Sequence, residues 1–204
     1  MKFTVACTKQ GVEENVKYNP KLKVYTAGKH SWDKNLYALD VGCGFPNPEE
    51  TYHKRGHVGI DRKHGCADVV ADSHYLPFRD NTFDLIGVYT ALDHFDFPLQ
   101  ALKEIHRVTK NYVVVSRGNS GFWTYSFGVP PPDHSYQWNI WTLANLLTIT
   151  GFEPIEYGYE HLGRKRSRAR FFELFAKILL LIFISNKDVS SFVKNVLIIK
   201  AVKR

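Results

Sequence analysis

Cysteine is scarce in this chain: Cys7, Cys43 and Cys66 are the three among 204 residues. An odd number without close metal-type spacing argues against a disulfide framework and a structural zinc site, so a reducing compartment and no metal are expected. Long apolar runs are also missing. The longest, Ile178 to Ile184, falls far short of the roughly 20 residues that span a bilayer, which excludes a transmembrane helix as an expectation. The start, Met1 to Lys9, lacks the apolar core of about 7–15 residues that marks a secretory signal, so the expected location is cytoplasmic. No internal repeat, low-complexity tract or long linker interrupts the chain. There is no acidic excess either: 27 Lys and Arg face 20 Asp and Glu, for a net charge of +7 and a pI near 9.2. That balance permits attraction to anionic lipid or nucleic acid, yet the charge is scattered and no RNA-binding module is visible.

What is present is enough apolar material for one core, with 44% hydrophobic and 14% aromatic residues. The length suits a single domain over 36–204 preceded by an extension of residues 1–35. Strands and helices alternate through its centre, the pattern of a mostly parallel sheet covered on both faces, an α/β fold of three layers. Strands are predicted at Tyr37–Val41, Val58–Asp61, Asp68–Asp72, Phe83–Tyr89, Tyr112–Ser116, Phe152–Tyr159 and Val196–Val202. Asn47-Pro48-Glu49-Glu50 has the form of a capping box and predicts a short helix to about Arg55. Only six residues separate Asp61 from Asp68, too few for a full helix. Leu99, Leu102, Ile105 and Val108 predict an amphipathic helix after Pro98, and Leu143 to Thr150 another, stopped by Gly151.

In such sheets ligands collect outside the carboxyl ends of the strands, and those ends carry Asp40-Val41-Gly42-Cys43-Gly44, Asp61 and Asp72. A dinucleotide fingerprint needs a third glycine, which Gly42-Cys43-Gly44-Phe45-Pro46-Asn47 does not supply. Glu49 and Glu50 would moreover repel a pyrophosphate at the following helix start. The ordered motifs Leu39 to Gly44, Gly59-Ile60-Asp61, Ala71-Asp72-Ser73-His74-Tyr75-Leu76-Pro77-Phe78, Asn81 to Leu85, Ala101 to Val108 and Gly151-Phe152 together resemble the class I S-adenosylmethionine-dependent methyltransferases. Within that class they are most similar to the type 11 branch related to ubiquinone and menaquinone methyltransferases. The resemblance covers residues 36 to 158. Pro46, the short segment after Asp61 and Asn111-Tyr112 depart from the family pattern.

The resemblance implies a Rossmann-like, seven-stranded sheet with an antiparallel last strand, S-adenosyl-L-methionine as cofactor and methyltransferase activity. It implies that Gly42, Cys43 and Gly44 face the cofactor's methionine part, with Asp40 near its ammonium group or steadying the turn. Asp61, with Arg62 beside it, would take the ribose hydroxyls; Asp72 and Ser73 would lie near adenine, and Thr90 beside the cofactor. Methyl transfer is an in-line displacement that needs alignment and, for some acceptors, a base. His94 and His134 are the base candidates by position and titration range, although each also reads as an ordinary helix-start or loop residue. Thr90-Ala91-Leu92-Asp93 does not have the Asn/Asp-Pro-Pro-aromatic form of methyltransferases acting on bases, which disfavours N-methylation of adenine by that mechanism and leaves RNA open through the basic surface. A small-molecule, lipid-linked or saccharide acceptor is expected. Five cations in residues 164–170 precede the apolar run 171–184, within a helical insertion at about 160–190. This segment either packs on the domain or meets an anionic membrane peripherally, at the inner face. The alternative from another class is a non-catalytic member that keeps the sheet for binding or regulation.

Overall fold

The central strands are buried at nearly every position, so the sheet is covered on both faces. The computed structural model describes residues 16–19, 21–22, 36–44, 57–65, 67–118, 135–160 and 196–204. These form β1 (Lys17–Tyr18), β2 (Ala38–Val41), β3 (Val58–Asp61), β4 (Val69–Val70), β5 (Phe83–Tyr89), α1 (Pro98–Val108), β6 (Thr109–Gly118), α2 (Ile140–Ile149), β7 (Phe152–Glu160) and β8 (Val196–Lys203). A single 3-10 turn, Leu92–His94, lies between β5 and α1. The strand order is β1-β7-β8-β6-β5-β2-β3-β4, with β8 antiparallel to both β6 and β7 and every other pairing parallel.

The antiparallel last strand is as expected, but the sheet has eight strands where seven were predicted. The additional strand, β1, comes from the N-terminal extension and sets Lys17 and Tyr18 beside Glu156 and Tyr157. It is held by the Asn19 N–H to the Tyr157 carbonyl at 2.8 Å, by Asn19 Nδ2 to Glu156 at 3.0 Å, and by the Tyr18 and Tyr157 rings 5.3 Å apart. Two residues are too short to show a period-2 pattern, so nothing in the sequence announced the strand.

Leu39, Val41, Ile86, Val88, Val113, Val115, Leu197 and Ile199 point to one face, where they meet Leu102 and Ile105 of α1 and Leu143 and Leu147 of α2. Ala38, Leu85, Tyr89, Val114, Val196 and Ile198 point to the other, where Leu22 joins them. The predicted helix at Asn47 to Arg55 and the insertion at 160–190 lie outside the described residues. No helix among the described residues is long and apolar enough to cross a membrane.

The buried stripe of α1 is Pro98, Ala101, Leu102, Ile105 and Val108, and Leu99 stays 40% exposed, which corrects the predicted stripe. Residues spaced by three fall behind the helical repeat by about 60° each step, so Leu99 lies opposite Val108. Arg107 fastens α1 to the loop before β5 with every donor engaged. Its Nε and Nη2 reach Glu104 at 2.9 and 2.8 Å, its Nη1 the Phe78 carbonyl and Asp80 at 2.8 Å each, and its Nη2 also the Leu76 carbonyl at 2.9 Å. That guanidinium holds the Glu104 carboxyl below its usual range. The Lys203 ammonium donates to the Arg107 and Thr109 carbonyls at 3.3 and 2.9 Å, placing a cation at the negative end of α1. The start of α2 is a capping box: Asn139 accepts from Trp141 N and Thr142 N, and Thr142 Oγ1 accepts from Asn139 N, each at 3.0 Å.

His106, on the buried side of α1, stands edge-on to Phe152 with ring centroids 5.0 Å apart. Burial, then the Lys203 charge, pushes its pKa below 6.5, against a backbone contact from Gly151 that favours the proton. The folded state therefore prefers neutral His106, and as pH falls the unfolded chain takes up this proton first. Its contribution to stability is complete above pH 6.5 and declines as pH drops from there towards the lower folded value. Subtracting the urea-unfolding free energy of His106→Gln from that of the native chain should leave a difference that is flat above that pH and falls below it. A difference independent of pH would show that His106 does not carry this linkage.

Candidate functional site

The chain runs outward from β2 through β3 to β4, then returns to the other side of β2 for β5 and β6. This reversal parts the loops after β2 and β5 and opens a crevice at the carboxyl ends. Its two walls come together at Gly42 and Ala91. Gly42 has φ +73°, and a Cβ there would stand 2.5 Å from the Ala91 Cβ, so a side chain is excluded by both conformation and space. Gly44, at φ +71°, has open space where its Cβ would be. The turn is held by Gly42 N and Cys43 N donating to the Ile60 carbonyl at 2.9 and 3.0 Å, and by Gly44 N donating to Asp61 Oδ2 at 3.0 Å. Asp61 Oδ1 accepts from Lys63 N at 3.1 Å. The carboxylate at the end of β3 thus shapes the loop after β2.

Asp72 closes the row at the end of β4. Its Oδ1 accepts the His74 N–H at 2.9 Å and pairs with His74 Nδ1. Burial works to raise the Asp72 pKa, but the His74 backbone and ring hydrogen bonds, with the Arg62 charge, outweigh it and hold the carboxyl below its usual range. Ser73 beside it is buried. Asp40 is also buried, in register between Gly59 of β3 and Gly87 of β5. Cys43 is buried. Arg62 reaches across the crevice to Asp96 at 2.8 Å, and both side chains are more than half exposed. Tyr136 donates to the Asp96 carbonyl at 3.1 Å from the third loop at this mouth.

Thr90, the first residue after β5, has φ +54°. A β-branched residue there carries strain on the order of 1–2 kcal/mol, offset by its N–H on the Ser116 carbonyl at 2.6 Å. Beyond it, Asp93 is locked to Arg117 of β6 at 3.0 Å, with the side chains 3% and 0% exposed. The Asp93 carbonyl accepts from Ser135 N at 3.1 Å. His94 is exposed on the same 3-10 turn, and His134 lies outside the described residues.

Asp40, Gly42, Cys43, Gly44, Asp61, Arg62, Asp72, Ser73 and Thr90 therefore share the carboxyl ends of β2 to β5. Asp61 meets Gly44 directly, whereas Arg62 pairs with Asp96 and Asp72 with His74. His74, Asp93, Asp96 and Arg117 were not singled out from the sequence. An arginine closing the apolar run Val113 to Val115 demands a buried acid, and that demand was the readable signal for Arg117. The donor and acceptor set suits a nucleoside with a small polar tail: carboxylates at two successive strand ends and a bare glycine turn with room beside Gly44. S-adenosylmethionine meets those terms.

Residues 39–115 match the family model described as a methyltransferase domain. The ubiquinone/menaquinone biosynthesis C-methyltransferase of Blochmanniella pennsylvanica is 31% identical, over 44% of this chain and 46% of its own. The sterol 4-C-methyltransferase of Caenorhabditis elegans is 29% identical, over 50% of this chain and 35% of its own. The chain thus spans less than half the length of these curated relatives. Among solved structures, an S-adenosylmethionine-dependent methyltransferase of Thermotoga maritima superposes with a TM-score of 0.56, at 17% identity over 83% of each chain.

Breaking the Asp93–Arg117 pair leaves a charge buried without its counterion. Asp93→Ala should cost about 3–5 kcal/mol in urea unfolding, while Asp93→Leu combined with Arg117→Met should recover most of it. A loss below about 1 kcal/mol for the single variant would remove this pair as the anchor of the turn.

Proposed function

We propose that the chain, whose residues 39–115 carry a methyltransferase domain of the class I, type 11 branch, binds S-adenosylmethionine at the strand-order reversal and transfers its methyl group to an apolar small molecule. The observation that carries this reading is Asp61, which accepts the Gly44 N–H and so joins the glycine turn to the β3 end. The cofactor supplies an electrophilic methyl group on a sulfonium, and the protein's task is alignment. In this reading the backbone of Gly42 to Gly44 lies along the methionine part. The remaining lone pairs of Asp61 accept the ribose hydroxyls. Asp72 keeps Oδ2 for the exocyclic amine of adenine, with Ser73 next to it. Asp40 steadies the turn from inside the sheet. Thr90 and Ala91 form the opposite wall, and Arg62, held by Asp96, stands at the outer rim.

The quinone and sterol chemistry named for the two relatives supports an apolar acceptor. Where its carbon nucleophile arises by loss of a hydroxyl proton, His94 or His134 is the group suited to accept that proton. The cationic and apolar stretch 164–184 supports delivery from an anionic membrane surface facing the cytoplasm.

Calorimetry with S-adenosylmethionine tests the reading at its root, since no heat of binding up to millimolar cofactor would return the chain to a non-catalytic role. Asp61→Ala should weaken binding by about 1–3 kcal/mol, because buried hydroxyls lose a charged acceptor and the turn loses its clasp. A folded variant with unchanged affinity contradicts the ribose assignment.

Membrane delivery has its own measurement. Each cation in 164–170 contributes up to about 1 kcal/mol near anionic lipid, and this part is screened by salt, whereas inserted apolar side chains are not. The chain should sediment with anionic vesicles, less so at high salt and little with neutral ones. Changing Arg164, Lys165, Arg166, Arg168 and Arg170 to Ser without effect on sedimentation would rule the surface out.

A further inference from the structure

We infer that His74 is a positioning residue for the cofactor's adenine, clamping Asp72 between the β4 end and the start of α1; this rests on the S-adenosylmethionine reading above. His74 is buried, with its ring edge-on to Phe95 and Phe97 at centroid distances of 6.1 and 5.9 Å. A polar ring in such a place needs both nitrogens engaged. They are: Nε2 lies 3.1 Å from the Phe97 N–H, and Nδ1 pairs with Asp72 Oδ1. The Phe97 amide can only donate, so Nε2 presents its lone pair and the neutral ring carries its proton on Nδ1, directed at the carboxylate.

The consequences run both ways along this chain of bonds. Asp72 Oδ1 receives the ring proton and the His74 backbone N–H at 2.9 Å, which fixes the carboxylate plane and leaves Oδ2 for a ligand donor. Phe97 precedes α1 and has no side chain able to cap it, so the His74 ring stands in as a capping group from a distant loop. Gln100 Nε2 donates to the His74 carbonyl at 3.4 Å and draws the same loop onto the first turn of α1. The acceptor for adenine is therefore set by its own loop and, through one imidazole, by the start of α1.

Two isosteric replacements separate the two nitrogens. Asn at 74 places an amide N–H where Nδ1 stands and keeps the donor to Asp72, but offers Phe97 nothing. Gln reaches the place of Nε2 with an acceptor for Phe97 and loses the donor to Asp72. Binding of S-adenosylhomocysteine and of its analogue lacking the 6-amino group is measured by calorimetry for the native chain, His74→Asn and His74→Gln. Affinity for S-adenosylhomocysteine should stay within about threefold of native in His74→Asn and fall at least about tenfold in His74→Gln. Affinity for the deaminated analogue should be nearly equal in all three, because Asp72 then has no amine to receive. Equal losses for both ligands, or native-like binding by His74→Gln, overturn the positioning role. If the native chain binds neither ligand, the cofactor reading fails and the inference falls with it. Should His74→Gln not fold, the imidazole nitrogen resonances of the native chain decide: a proton on Nδ1 with Nε2 bare agrees, and a proton on Nε2 overturns the assignment.

Discussion

The contact of Gly42 with Ala91 is the constraint on which the crevice depends. Strand-order reversal pulls the loops after β2 and β5 apart, and between these two residues the loops meet at a spacing that admits no Cβ on Gly42. To keep Ala91 there, the chain must turn sharply out of β5, and Thr90 does so in a backbone region unfavourable to threonine. Its amide is taken by Ser116, and three residues later Asp93 is taken by Arg117 of the same neighbouring strand. The strain at Thr90 is thus held from β6, on the far side of β5. A loosened turn would move the wall against which the glycine loop rests.

Charge placement follows from the same geometry. Asp61 and Asp72 satisfy themselves on backbone amides and a histidine, so each remains an acceptor without a full counterion to neutralise it. Arg62 and Asp96 form a more exposed pair at the rim, where water makes such a bridge worth little to stability. Asp93 and Arg117 sit at the opposite limit. Their mutual attraction is offset by the desolvation of both ions, yet removing either one is costly, so the pair acts more through the geometry it enforces than through net stabilisation.

The sequence made the interior of the sheet readable because buried parallel strands carry few competing signals. Val58–Asp61 and Phe83–Tyr89 have the predicted bounds, since each run of apolar residues is closed by a turn or an acid. Elements defined by partners rather than by pattern escaped. β1 exists because β7 offers it an edge; β6 begins at Thr109, directly after α1, because Lys203 and the Arg107 straps make the corner without a separate turn. The site was legible as a set of acceptors at strand ends, since glycine turns and carboxylates announce themselves. How those acceptors are oriented was not, because His74 and Arg117 act through residues distant in sequence, and neither has a local spacing that marks it.

The acceptor side obeys a different physical demand from the cofactor side. A sulfonium carbon is attacked by whatever nucleophile reaches it, water included, so an apolar acceptor must bring or meet an apolar cover if its carbon is to compete. The described wall beside Thr90 is mixed: Ala91 and Leu92 are buried, while His94 is exposed. Gly118 ends β6 at the crevice, and Ser135 re-enters it through its bond to the Asp93 carbonyl. Because Ser135 is tied to the Asp93 carbonyl, the buried pair under the turn after β5 also anchors the point where the chain returns before α2. Substitutions at Asp93 should therefore loosen the turn after β5 and the return at Ser135 together.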